Sequence, residues 1–258
     1  MHILREIFQY REMIANLVHK DLRGRYKGSV LGFLWTFINP LLQLLVYTTV
    51  FSVILRAGIA KYYLFLFVAL IPWIFFANSL SGGAGLIIQE KNLVTKIYFP
   101  REVLPIAFVT SNFVNMLYSF VIVLAAVLFF GDHINLVAWM FLPLIMAVEY
   151  IFALGCALIA SSVTVYFRDL QHILGIVVMA WQYLTPILYS ADMVPDELRT
   201  IFLMNPMTSI IAAYRDILYY GCFPGISTLA IPFVISVCVL LIGAVVFRKL
   251  QRGFAEEL

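Results

Sequence analysis

Residues 29–55 run for 27 positions without one Asp, Glu, Lys or Arg. A helix of about 20 apolar residues crosses the ~30 Å hydrocarbon core of a bilayer, and this run is long enough to do so. The condition recurs at residues 62–88, 103–131, 144–167, 173–189 and 226–247, where Glu149 is the one acidic interruption. Hydrophobic residues make up 63% of the chain and charged residues 12%, roughly half the ~25% of soluble domains. That balance excludes an ordinary soluble globule, a disordered chain and a nucleic-acid binder. The runs are continuous rather than alternating, which excludes a membrane β-barrel. The expected fold is an all-α membrane protein, one unit over residues 1–258, with six transmembrane helices. Pro143 should separate a surface piece from the fourth span, and Pro186 interrupts the short fifth.

Six spans place both termini on one side. With the N-terminus in the cytoplasm, 13 of the 17 Lys and Arg residues fall inside, among them Arg5, Lys20, Arg248 and Arg252. Arg56, Lys61, Arg199 and Arg215 fall outside. The positive-inside rule selects this orientation. The first residues carry charges and lack an apolar signal core, so the N-terminus is expected to be retained.

Residues 1–28 begin with an amphipathic pattern. Ile3, Leu4, Ile7, Tyr10, Ile14, Leu17 and Val18 share one helical face, and Arg5, Glu6, Gln9, Glu12, Asn16 and Lys20 fill the other. Such a helix suits the inner membrane surface. Next comes a basic belt containing Arg23, Arg25 and Lys27. The belt is either an orientation anchor for anionic headgroups or an entrance that attracts a phosphate-bearing lipid head. Before the last span, residues 190–225 stay apolar. Asp196 opens one short helix, and Thr208 can cap a second that stops at Gly221. The pair is either re-entrant or a lid lying flat on the membrane.

The first span places Trp35, Asn39, Gln43 and Tyr47 along a polar-aromatic face, and the fifth offers Trp181 and Tyr183. Amides in hydrocarbon face protein or water. They serve either interhelical bonding or a sugar-tolerant pore wall, because rings stack on sugars and amides bond hydroxyls. Glu149 lacks an intramembrane basic partner and fits a structural carboxyl better than a proton relay. Residues 81–85, SGGAG, favour close helix approach. No phosphate loop, metal motif, paired carboxylates or nucleophile elbow is present. The three cysteines, Cys156, Cys222 and Cys238, match no metal or redox spacing.

Four blocks are more specific: KDLRGRYKGSVLGFLWTFINPL from Lys20, QEKNLVTKIYFPRE over 89–102, RDLQH from Arg168, and NPMTSIIAAYRDILYYG from Asn205. Together they make the chain resemble the permease subunits of bacterial ABC exporters of lipid-linked polysaccharides, which handle O-antigens, capsules, teichoic acids and S-layer glycans. The resemblance covers essentially the whole chain. It implies a homodimer bound to a separate nucleotide-binding subunit that holds ATP and Mg, with no cofactor in this chain. It implies a multi-pass inner-membrane protein whose N-terminal helix gates the lipid-head entrance. Residues 89–102 would couple to the ATPase through Glu90, Lys91, Asn92, Lys96, Tyr98 and Arg101, with Arg168 and Asp169 as a second contact. Spans one and five would line a channel, and residues 190–225 would be re-entrant at the outer exit. The substrate implied is an undecaprenyl-linked glycan. The rival expectations are a permease for drugs or small lipids, a membrane glycosyl- or acyltransferase, and a secondary transporter. The transferase lacks an acid/base or metal cluster, and the secondary transporter would need inverted repeats.

Overall fold

The computed structural model describes residues 9–258, apart from the side chains at positions 26, 199, 200, 203 and 227. The expectations for Ile3, Leu4, Arg5, Glu6 and Ile7, and for the Arg199 side chain, therefore lie outside the described residues. Every regular element described is helical. They are α1 (Arg11–Tyr26), α2 (Trp35–Thr48, extended by a π turn Thr49–Ile54), α3 (Tyr62–Ala84), α4 (Leu86–Gln89), α5 (Lys91–Lys96), α6 (Val103–Phe130) and α7 (Leu136–Trp139). After them come α8 (Leu142–Tyr166), α9 (Leu170–Tyr183), α10 (Asp196–Met204), α11 (Pro206–Leu218), α12 (Ile226–Leu250) and α13 (Phe254–Glu257). Short 3₁₀ turns precede α2, α10 and α13.

Five helical stretches are long and apolar enough to cross a membrane: Gly32–Ile54, Tyr62–Ala84, Val103–Phe130, Leu136–Tyr166 and Thr228–Glu257. The expected fifth span does not form one crossing helix. Helix α9 has 14 residues, about 21 Å at ~1.5 Å per residue, and stops before Pro186. Proline lacks the N–H needed to continue the ladder and disfavours helix at the residue before it. The chain then turns through buried residues 185–188. Gln171 packs on Gly85 at one end of α3, and the Leu188 carbonyl accepts from Tyr62 at the other end, 2.7 Å away. Helix α9 and its turn together run the length of α3.

Helix α3 is the centre of the bundle. Leu66, Val68, Ala69, Leu70 and Phe76 are inaccessible to solvent, and α2, α6, α8, α9 and α11 all pack against it. Helix α8 lies against α12 with backbone contact. A Cβ on Gly155 would sit 2.7 Å from the Leu240 nitrogen, and one on Gly243 2.6 Å from the Gly155 oxygen. The small run in α3 acts as expected: a Cβ on Gly83 would sit 3.2 Å from the Ala157 Cβ on α8, and one on Gly82 would meet the Phe108 ring on α6. Pro143 begins α8 within its first turn, close to the expected break.

Helix α11 is inserted in the bundle rather than laid across it. Met207, Ile211, Ala213, Tyr214 and Ile217 are fully buried. Its N-terminal cap is Asn205, whose side chain accepts from the Met207 amide at 3.1 Å. Thr208, the expected cap, is buried and leaves its hydroxyl without a partner among the described residues. Asn205 sits two positions before the Met207 amide, whereas Thr208 is already within the first turn.

Glu149 has one hydrogen-bonded oxygen. It is fully buried on α8, and its Oε2 accepts from the Tyr214 hydroxyl at 2.8 Å. Arg215 is not an exposed outer cation. It is 5% exposed, and its guanidinium lies 3.5 Å from the centre of the Phe65 ring. It donates to the carbonyls of Phe65, Pro186 and Ile187 at 3.4, 2.5 and 2.6 Å. These last two carbonyls belong to the turn that proline opened, so Arg215 satisfies the backbone the broken helix exposes.

Candidate translocation path

Helix α2 has almost no burial, although it carries the amides. Asn39 and Gln43 are four residues apart on one face and exposed, with Trp35 and Tyr47 one turn to either side. These four line a cavity of about 470 Å³ between α2, α3 and α6, closed at one corner by Gln182 of α9. Sequence reasoning missed the other walls: Asn78 from α3, and Asn112, Asn115 and Ser119 from α6. The signal in the sequence is polar residues at helical spacing on α6, within a run that is otherwise apolar.

The cavity is polar in an ordered way. Thr36 donates to Asn115 Oδ1 at 3.3 Å, and Ser119 donates to the Thr36 carbonyl at 3.1 Å, fixing α2 on α6. Gln182 donates to the Tyr47 hydroxyl at 3.4 Å, joining α9 to α2. Asn39, Gln43 and Asn78 are exposed and have no hydrogen-bond partner among the described residues. A carboxamide left unpaired in hydrocarbon costs several kcal/mol. These three therefore need water, a second chain or a ligand.

The fifth-span residues part company. Tyr183 is exposed. Trp181 does not line the cavity: its indole N–H donates to Asn205 Oδ1 at 3.0 Å, and its ring stands edge-on to Phe76 at 5.0 Å. Asn205 also donates to Thr185 Oγ1 at 2.9 Å. Trp181 thus pins the tip of the α10–α11 hairpin.

The basic belt divides in the same way: Arg23 and Arg25 lie in the last turn of α1, and Lys27 follows it in extended backbone. Arg25 turns inward, pairing with Asp21 and donating to Asn112 Oδ1, both at 2.8 Å. Asp21 accepts in addition from Ser111 on α6. Arg23 and Lys27, four positions apart, instead flank a groove of about 910 Å³ with His19 and Lys20, floored by Phe33 and Tyr118. The apolar side of α1 faces the bundle: Tyr10, Met13, Ile14 and Leu17 pack on a small core containing Ile87, Val94, Phe99 and Phe254.

Of the expected coupling residues, Lys91, Asn92, Lys96 and Asp169 are exposed, and Tyr98 is 98% exposed. The others are tied down. Glu90 pairs with Lys20 at 2.9 Å. Arg101 donates to the Gln251 carbonyl and lies 5.8 Å from the Phe254 ring centre. Arg168 donates to the Glu257 carbonyl at 3.3 Å. Glu102 meets Arg248 at 3.5 Å and accepts from Gln251 at 3.1 Å.

The described residues thus form a helical bundle with a polar face left uncovered on α2, a buried helix α11 and an exposed loop around Tyr98. The sequence profile of the ABC-2 type transporter family matches residues 13–219, and the chain belongs to that family. The O-antigen export system permease protein RfbA of Myxococcus xanthus is 36% identical over 260 residues, covering 100% of both chains. The protein of that name in Klebsiella pneumoniae is 32% identical over 248 residues, covering 96% of this chain and 95% of its own. The capsule polysaccharide export inner-membrane protein CtrC of Neisseria meningitidis is 25% identical, covering 98% and 97%.

Proposed function

We propose that this chain is the membrane-spanning subunit of an ATP-driven exporter of undecaprenyl-linked polysaccharide, an O-antigen or similar surface glycan. Full-length similarity to O-antigen export permeases supports the substrate class. The observation that carries the mechanism is the run of unpaired carboxamides on an uncovered helix. The exposed apolar residues around them, Leu42, Leu45 and Val46 on α2 and Ile176 and Met179 on α9, fit a second copy of this chain. Two copies would enclose the amides in a wet passage lined by Trp35, Asn39, Gln43, Tyr47 and Tyr183.

The remaining assignments follow from that passage. Helix α9 and its turn serve as the fifth of six crossings, and α10 and α11 form the re-entrant pair at the outer exit. Both termini lie in the cytoplasm of an inner-membrane protein. Arg23 and Lys27 hold the lipid pyrophosphate at the entrance, with Arg25 fixing the helix that carries them. Lys91, Asn92, Lys96, Tyr98 and Asp169 meet a nucleotide-binding partner that holds ATP and Mg. Glu90, Arg101 and Arg168 transmit its motion. Sugars pass stepwise, held weakly at many places.

The test is removal of the chain from a strain that makes such a polymer. Lipid-linked glycan should accumulate inside and vanish from the surface, and the restored chain should reverse both. The purified chain should hydrolyse ATP only after a nucleotide-binding subunit is added. Hydrolysis by the chain alone, or unchanged surface polymer, would sink the proposal.

A further inference from the structure

The cavity beside α2 extends past the seam into the protomer, and its chemistry is selective. We propose that it is a binding pocket for a neutral, hydroxyl-rich sugar unit of the passing polymer, in which Asn78 of α3 is the inner recognition residue. The proposal rests on the export function inferred above.

Six carboxamides border the cavity: Asn39, Gln43, Asn78, Asn112, Asn115 and Gln182. A carboxamide both donates and accepts, as a sugar hydroxyl does, so the two match in either direction. The single charge at the cavity is Arg25, and Asp21 neutralises it at 2.8 Å. A phosphate or carboxylate would need an uncommitted cation. A drug or acyl chain would want apolar walls in place of amides. The volume, about 470 Å³, lies within the ~300–1,000 Å³ of small-ligand sites.

The amides also divide by state. Asn112 is already held by Arg25, and Asn115 by Thr36. These two shape the rear wall. Asn39, Gln43 and Asn78 are exposed and lack partners among the described residues. They form the open side, and Asn78 is the one that stands on the central helix rather than on the seam helix. Trp35 borders the same space and offers a ring face to the sugar. A preset wall facing unpartnered amides suits a site that must bind and release.

The experiment places photoreactive benzoylphenylalanine at Asn78, at Trp35, or at Ile231, an exposed position on α12. The full chain is expressed with its nucleotide-binding subunit in cells making the polymer, and adducts are detected with antiserum to that polymer. Adducts are expected at positions 78 and 35 and not at 231. An adduct at 35 without one at 78 would overturn the pocket and leave the seam passage standing. Adducts at neither, with polymer still reaching the surface, would overturn both. In parallel, Asn78→Leu at matched protein level and matched partner binding should lower surface polymer about fivefold. Asn78→Gln should recover at least half of it. Normal export by Asn78→Leu would mean that the cavity merely holds water.

Discussion

Helices α2 and α3 are both apolar, uncharged and long enough to cross a bilayer, yet the bundle treats them oppositely. The most apolar stretch of α3 is buried over 78% of its length, and that of α2 over 6%. Lipid explains why hydropathy does not separate them. An apolar side chain gains little by exchanging acyl chains for protein, so both sites accept the same residues. What separates the two helices is the minority of other residues. Glycines in α3 meet neighbours at close range, whereas α2 carries Asn39 and Gln43, which have no partner among the described residues. The α3 side is built for cohesion and the α2–α9 side for contact with something else.

That contrast is most exposed at two glycines. Gly155→Val would drive a side chain into the α12 backbone, and nearly all monodisperse protein should disappear from detergent-solubilised membranes on size-exclusion chromatography. Gly175 on α9 has nothing within 4 Å, so Gly175→Val should leave that profile intact and lower export if a second copy packs there. Equal yields of the two variants would erase the distinction. Next in size is Arg215→Met, which leaves three carbonyls without their donor. A loss of about 3 kcal/mol is expected, read as a drop of roughly 6–12 °C in thermal midpoint.

The two tryptophans sharpen the comparison further. Trp181→Leu removes a packed ring and the bond to Asn205, and should destabilise by about 2–3 kcal/mol. Trp35→Leu should leave stability within ~0.5 kcal/mol while lowering surface polymer severalfold. Thermal melts and polymer assays on the pair decide it, and reversed results would exchange the roles of α2 and α9. Smallest for the fold is Tyr98→Ala. Its side chain touches little, so the melt should be unchanged while stimulation of the partner's ATPase falls.

Residues that announce a whole run were legible in the sequence. Five of the six expected spans recur as long helices, and the hairpin boundaries at Asp196 and at Asn205–Pro206 hold. Side-chain direction was less legible. Arg23, Arg25 and Lys27 look alike in a row, but a helix turns about 100° per residue, which separates Arg25 from Arg23, and Lys27 lies past the helix end in extended backbone. Trp181 and Trp35 both sit among amides, hydroxyls and aromatic rings in the sequence, and the buried α11 with Asn205 before it decides that one is packed. Asn78, Asn112 and Asn115 were hidden for a related reason: a polar residue in an apolar run shows its meaning only when another helix brings a second beside it.

The C-terminal stretch after α12 has a mechanical meaning. Arg101 and Glu102 hold Gln251, Arg168 holds the Glu257 carbonyl, and the Tyr166 hydroxyl holds the Leu250 carbonyl at 2.7 Å. Two loops far apart in the chain are therefore fastened to one short strap. Neither can be pushed without loading the other. A displacement of residues 101–102 and one of residues 166–168 would both be carried into the same end of α12.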